Sequence, residues 1–160
     1  MAEIVLSRID NRLVHGQVGV TWVNSLNVDT IVVVDDETYY DRFSQKLMES
    51  VAKSSNVNIR FYMTNDFIKR FLEVDSNQKI FLVVKTPKAI RQLYEHGLPI
   101  DKVNLGNMHY ERGKVMVTRK VYVDEEDIEN LEYLLHEGVY IYYQDVPGSP
   151  RERINEIKVK

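Results

Sequence analysis

Arg8, Asp10, Arg12 and His15 fall within eight residues, and the histidine is followed at once by Gly16 and Gln17. Each has a task if the ligand is a phosphoryl group. Arginine offers a planar, permanently charged fork to phosphate oxygens. A glycine where a helix opens lets backbone N–H groups approach an anion closely, aided by the helix dipole. A neutral imidazole is a competent nucleophile toward phosphorus, which makes His15 a candidate carrier. Asp10 is then the group that orients the ring or the arginines. The plainer interpretation is a turn glycine, a histidine at a helix start and solvated arginines, and residue types alone leave both open.

The rest of the composition narrows the chemistry. There is no cysteine, so disulfides, thiolate metal sites and cysteine nucleophiles are excluded. Twenty-one Lys and Arg against 24 Asp and Glu give a net charge of −3, unlike the massed positive charge of a general nucleic-acid binder. Four histidines carry whatever imidazole chemistry exists. His109 sits in an irregular stretch, placed to face His15 and touch phosphate or sugar, or to be a plain loop residue. His96 and His136 stand beside Gly97 and Gly138 and suit helix C-terminal ends. Lys85 is a candidate phosphate contact, while Thr86-Pro87 suits an N-cap followed by the first helical residue, with the Thr86 hydroxyl at the strand end. Residues 35–37 are three acids that fit a helix start. No metal site is predicted, and no Walker A loop, H-E-x-x-H or G-x-S-x-G occurs.

The elements that must position these residues alternate along the chain. Apolar runs of strand length at 4–6, 30–34, 58–63, 79–85, 103–106 and 139–143 are separated by segments of helical period. One helix is expected over 38–54, where Tyr39, Phe43, Leu47 and Val51 recur at every fourth position as an apolar stripe. Residues 115–123 alternate and predict one or two short strands; the segment after Pro147 is polar and predicts nothing. The pattern gives an α/β fold: an open, mostly parallel twisted sheet with helices on both faces and the active-site loop after the first strand. Without a linker or a repeat, residues 1–160 are expected to form a single domain. Open sheets of this class bind ligands at the carboxyl ends of their strands, which here points to loops 8–17, 35–38, 63–66, 85–87, 106–114 and 144–148. The longest apolar runs fall far below the ~20 residues of a spanning helix. With no signal-peptide pattern at the start, a cytoplasmic protein is expected.

Residues 8–18, Arg-Ile-Asp-Asn-Arg-Leu-Val-His-Gly-Gln-Val, closely resemble the phosphorylation-site segment of the IIB component of mannose/sorbose-type bacterial sugar phosphotransferase systems (PTS). The likeness continues through residues 104–108, 138–139 and 144–147 and covers nearly the whole chain. It implies a phosphocarrier enzyme, a protein-phosphohistidine–sugar phosphotransferase. His15 would accept phosphoryl, normally on Nδ1, from a phosphorylated IIA partner and pass it to the C6 hydroxyl of a sugar brought through the membrane by IIC and IID. Arg8, Asp10 and Arg12 match charged positions around that histidine, and Gly16 and Gln17 complete the loop. No cofactor or metal is implied, and the association with the membrane complex would be peripheral. Asn107 replaces the second glycine commoner in the family; with His109 and residues 121–124 it resembles the N-acetylgalactosamine or galactosamine branch. The alternative from another class is a regulatory module on the same fold that senses phosphate or nucleotide without turnover.

Overall fold

The computed structural model describes residues 1–159. The chain forms β1 (Glu3–Asp10), α1 (Gly16–Ser25), β2 (Thr30–Val34), α2 (Asp36–Tyr39), α3 (Arg42–Ser54), β3 (Asn58–Tyr62), α4 (Thr64–Glu73), β4 (Lys79–Val84) and α5 (Pro87–Glu95). It continues with β5 (Lys102–Asn107), β6 (Val115–Thr118), β7 (Val121–Val123), α6 (Glu125–His136), β8 (Tyr140–Tyr143) and β9 (Glu152–Ile154). Seven strands lie in the order β3-β2-β4-β1-β5-β8-β9, parallel except for the antiparallel β8–β9 pair at one edge. The central strands read as unbroken apolar runs because helices cover both faces: all five residues of β2 are buried, as are the last five of β4. Trp22 and Val23 of α1 and Met48, Val51 and Ala52 of α3 fill one side. Phe67, Phe71, Ile90, Leu93, Leu131 and Leu134 of α4, α5 and α6 fill the other. The expected open α/β sheet is what forms.

β1 lies at the centre, with β4 on one side and β5 on the other. From β1 the chain passes to β2 and then β3 on one side, returns to β4 between β2 and β1, and then crosses to β5 on the other side, so strand order reverses beside β1. The crevice at the carboxyl end of such a reversal is where this architecture holds ligands. The segment 11–15, which joins β1 to α1, sits there.

Three local expectations need correction. The loop predicted over 8–17 is shorter, because β1 keeps pairing as far as Asp10 and takes Arg8 and Asp10 into the sheet. Buried partners satisfy their charges, so charge does not end the strand. The helix predicted over 38–54 is two helices: Asp41 caps α3 by accepting from the Ser44 amide, and buried Gln45 donates to the Thr38 and Tyr39 carbonyls, which fixes the break. The apolar stripe is buried only at Val51, since Tyr39, Phe43 and Leu47 are exposed. The short strands expected over residues 115–123 do form, as an antiparallel hairpin, β6–β7, outside the main sheet, and the polar segment after Pro147, for which the sequence predicts nothing, contributes the edge strand β9.

Candidate active site

Arg8 points from β1 toward α1 and is 2% exposed. Both terminal nitrogens of its fork are engaged. Nη1 donates to Asn104 Oδ1 and to the Gln144 carbonyl (3.1 Å); Nη2 donates to Asp10 Oδ2 and the Asp145 carbonyl, both at 3.2 Å. The guanidinium carbon lies 4.8 Å from the centre of the Trp22 ring, and Trp22 Nε1 donates to the same Asp145 carbonyl (3.1 Å). On the remaining side it rests against Gly106, where a Cβ would fall 2.1 Å from Arg8 Cζ. Burial lowers the guanidinium's pKa, and the Asp10 carboxylate pulls it back. One side chain thus ties together β1, β5, α1 and the segment after β8. The same contacts occupy both terminal nitrogens of Arg8, which are therefore not free for a ligand.

Asp10 continues the chain of contacts. Its Oδ1 accepts from the Arg12 amide (2.9 Å) and from Arg12 Nε (3.4 Å), so a fully buried carboxylate clamps the turn that leaves the strand. The Leu13 amide donates to the Asp10 carbonyl, and Leu13 takes a left-handed φ of 60°. Leu13 and Val14 bury their side chains and anchor the turn. The Arg12 side chain, by contrast, is 44% exposed, and among the described residues its two Nη groups hold no partner.

His15 is the N-cap of α1, with extended backbone and no side-chain capping bond. The first helical bond runs from Gly19 N to the His15 carbonyl, so the amides of Gly16, Gln17 and Val18 precede the hydrogen-bonded ladder. No acidic residue occupies the first turn. Gly16 has φ of +47°, a left-handed value that a side chain would strain although there is space for one. The imidazole Nε2 has no exposed surface and no hydrogen-bond partner. Beside the ring, Leu13, Val14, Val18 and Trp22 enclose a cavity of about 10 Å³, no more than room for one water. Nδ1 lies 3.5 Å from the Leu13 carbonyl oxygen. A histidine with one nitrogen walled in, at the start of a helix whose first amides precede the ladder, presents its other nitrogen to an anionic group.

The remaining sequence candidates lie outside this cluster. Lys85 pairs with Asp35 at 3.1 Å, and the Thr86 hydroxyl accepts from the Ala89 amide (3.3 Å) as the cap of α5. His109 is exposed and meets Glu111 at 3.3 Å. None of the three lines the cavity at His15. His96 is the C-cap of α5 and His136 ends α6, as their glycine neighbours suggested. Asp35 caps α2 by accepting from the Thr38 amide and hydroxyl. Sequence reasoning did not single out Trp22, Asn104, Gly106 or Gln144 as the supports of Arg8. The available signal was a polar residue, Asn104, between Val103 and Leu105 in the buried middle of β5, where burial demands a partner.

The chain matches the profile of the family described as PTS system sorbose subfamily IIB component over residues 4–160. It is 44% identical over 151 residues to the N-acetylgalactosamine-specific phosphotransferase enzyme IIB component 1 of Escherichia coli K12, covering 94% of this chain and 96% of that protein. The mannose-specific EIIAB component of the same organism is 31% identical; the match covers 96% of this chain and 48% of that longer protein. Among solved structures, the crystal structure of the E. coli N-acetylgalactosamine-specific IIB component 1 superposes with a TM-score of 0.90, covering 95% of this chain and 99% of that one. The IIBSor domain of the sorbose permease from Klebsiella pneumoniae, 25% identical, gives 0.83 and covers 96% and 94%.

Proposed function

The chain belongs to the sorbose-subfamily IIB components of the PTS, which are phosphotransferases, and from that premise we propose that His15 is its phosphoryl carrier. The Nδ1 lone pair attacks the phosphorus of a phosphorylated IIA protein; the donor's P–N bond breaks and its electron pair returns to the donor imidazole. In the second half-reaction a sugar hydroxyl attacks the same phosphorus. The P–Nδ1 bond breaks, and the hydroxyl proton is released as the sugar phosphate forms. The observation that carries this reading is the His15 ring: among the described residues Nε2 is sealed and without a partner, and the residue stands at the N-cap of α1, whose first amides precede the hydrogen-bonded ladder. For attack by Nδ1 the ring proton sits on Nε2.

The surrounding groups divide the work. The amides at the start of α1 and the free Nη groups of Arg12 meet the charge of the transferring phosphoryl, whose loose transition state needs positioning and electrostatic support more than covalent chemistry. Asp10 holds Arg12 at the rim, and Arg8 holds Asp10. Arg8 therefore acts as a positioning residue, and Arg12 as the guanidinium that reaches phosphate. Residues 1–160 work as one IIB domain, with IIC and IID presenting the sugar. N-acetylgalactosamine or galactosamine is that sugar, because the relatives at 44% and 41% identity are named for N-acetylgalactosamine. No helix among the described residues is long and apolar enough to cross a membrane; in this reading IIC and IID carry the sugar.

Incubation with phosphorylated IIA should label the protein with an acid-labile, base-stable phosphate that His15→Ala fails to take up. Labelled protein should then phosphorylate N-acetylgalactosamine in membranes containing IIC and IID. Label retained by His15→Ala would overturn the assignment.

A further inference from the structure

The row Tyr39, Phe43, Leu47, Val51 is absorbed neither by the core nor by the phosphate site. Its lower end is packed: Val51 is buried, and a Cβ on Gly19 of α1 would lie 3.1 Å from Val51 Cγ1. Its upper members are open, Phe43 being 73% exposed and Leu47 59%. The cause is an overhang. α1 joins β1 to β2 across β4, and α3 joins β2 to its neighbour β3; all these strands are parallel and both helices cover the same face, so the helices run in the same direction. Measured from the Gly19–Val51 contact, Gly16 is about 4.5 Å nearer the start of α1 and Leu47 about 6 Å nearer the start of α3, at the helical rise per residue. Leu47 therefore stands level with His15 and Gly16, and Phe43 rises about one turn, roughly 5–6 Å, beyond them. Tyr40 extends the apolar surface outward and reaches Met63 Sδ through its hydroxyl (3.6 Å).

We propose that this overhanging wall, Phe43 and Leu47 with Tyr40 at its outer end, is where the phosphorylated IIA donor docks while it delivers to His15. The proposal rests on the carrier role of His15. Two arguments support that occupant. The first is continuity with the transfer site: donor and acceptor histidines must share one phosphorus, so the donor's surface has to cover whatever projects beside His15. The second is charge. Arg42 and Lys46 are exposed along one flank of the wall and Arg12 stands on the His15 side. Asp41 and Glu49 are exposed there too, so that flank is mixed in sign; it is Arg12, with free terminal nitrogens, that complements a protein arriving with a phosphoryl group, whereas the membrane complex offers a neutral sugar hydroxyl. A small apolar patch with a charged rim also suits a contact that must form and release at every turnover.

The test uses the full chain with Phe43→Ser and Leu47→Ser combined, both at exposed positions. Unchanged circular dichroism and urea midpoint confirm the fold. The rate of His15 labelling is measured against the concentration of phosphorylated IIA. KM for the donor should rise about tenfold or more, with kcat held within about twofold. KM should rise further with added salt. Sugar phosphorylation by variant that has already been labelled should match wild type. An unchanged donor KM overturns the proposal. If sugar transfer alone is slowed, the wall belongs to the membrane components; if the variant instead loses a dimer seen for wild type in sedimentation, it belongs to a second copy. Failure of wild type to take label at all would refute the carrier role itself, a result distinct from labelled wild type with an indifferent variant.

Discussion

The two arginines beside His15 are chemically alike and structurally opposite, and substitution should separate them. Arg12→Gln removes a guanidinium whose terminal nitrogens are free and whose Nε pairs with Asp10, so stability should fall by no more than about 1 kcal/mol, while labelling by phosphorylated IIA should slow by about 100-fold, as for loss of one oxyanion donor. Arg8→Lys keeps the charge but cannot fill four acceptors from a planar fork, and Asp10 is left buried with a weakened partner. A loss of about 3–5 kcal/mol in urea unfolding is expected. Gly106→Ala approaches the same cluster from the other side, because its methyl would occupy the space of the Arg8 guanidinium. It should cost about 1–3 kcal/mol and slow labelling through displacement of Arg8. Wild-type stability in Gly106→Ala would mean the guanidinium is not seated where it is described. These distinctions were not legible in the sequence. Arg8, Asp10 and Arg12 could be listed as charges near a histidine, but the partners that make Arg8 a strut lie 96 and 136 residues away.

Elements whose signals are local could be read directly. β2 is a β-branched run buried along its whole length, and Thr86-Pro87 opens α5 as cap and first helical residue. α6 begins at Asp124 with three acids in its first turn and a reciprocal cap between Asp124 and Asp127. Elements set by tertiary contacts could not. The break between α2 and α3 depends on Gln45 reaching back to two carbonyls, and the exposed upper half of the α3 stripe depends on where α1 happens to start. The α6 cap supplies a control at this scale. Asp124→Ala should cost about 1 kcal/mol and leave phosphoryl transfer untouched. The hydrogen bond from the Asp127 amide holds the Asp124 carboxyl below its usual pKa. Its contribution is therefore complete above the ordinary carboxylate range and is lost as pH falls through the depressed value. Acid titration of unfolding in wild type and variant should converge only at that low pH; a constant gap would contradict the cap as its source.

At the scale of the molecule, the reversal of strand order beside β1 places the 11–15 turn, and the right-hand half of the sheet supplies the supports for Arg8. That right-hand half also sets the alkaline limit. Burial, then Glu152, pushes the Tyr143 phenol up to about 12 from 10.0. The unfolded chain ionises this tyrosine first, so stability falls as pH rises from the unfolded value toward the folded one. Tyr143→Phe should flatten that alkaline decline in thermal unfolding; an unchanged slope would show that Tyr143 is not the group responsible. The central claim concerns one nitrogen. Phosphorus and nitrogen NMR of ring-labelled protein, after reaction with phosphorylated IIA, reads the attachment directly. A single phosphate on Nδ1 of His15 is the predicted result, and phosphate on Nε2, or on any other residue, would contradict the account.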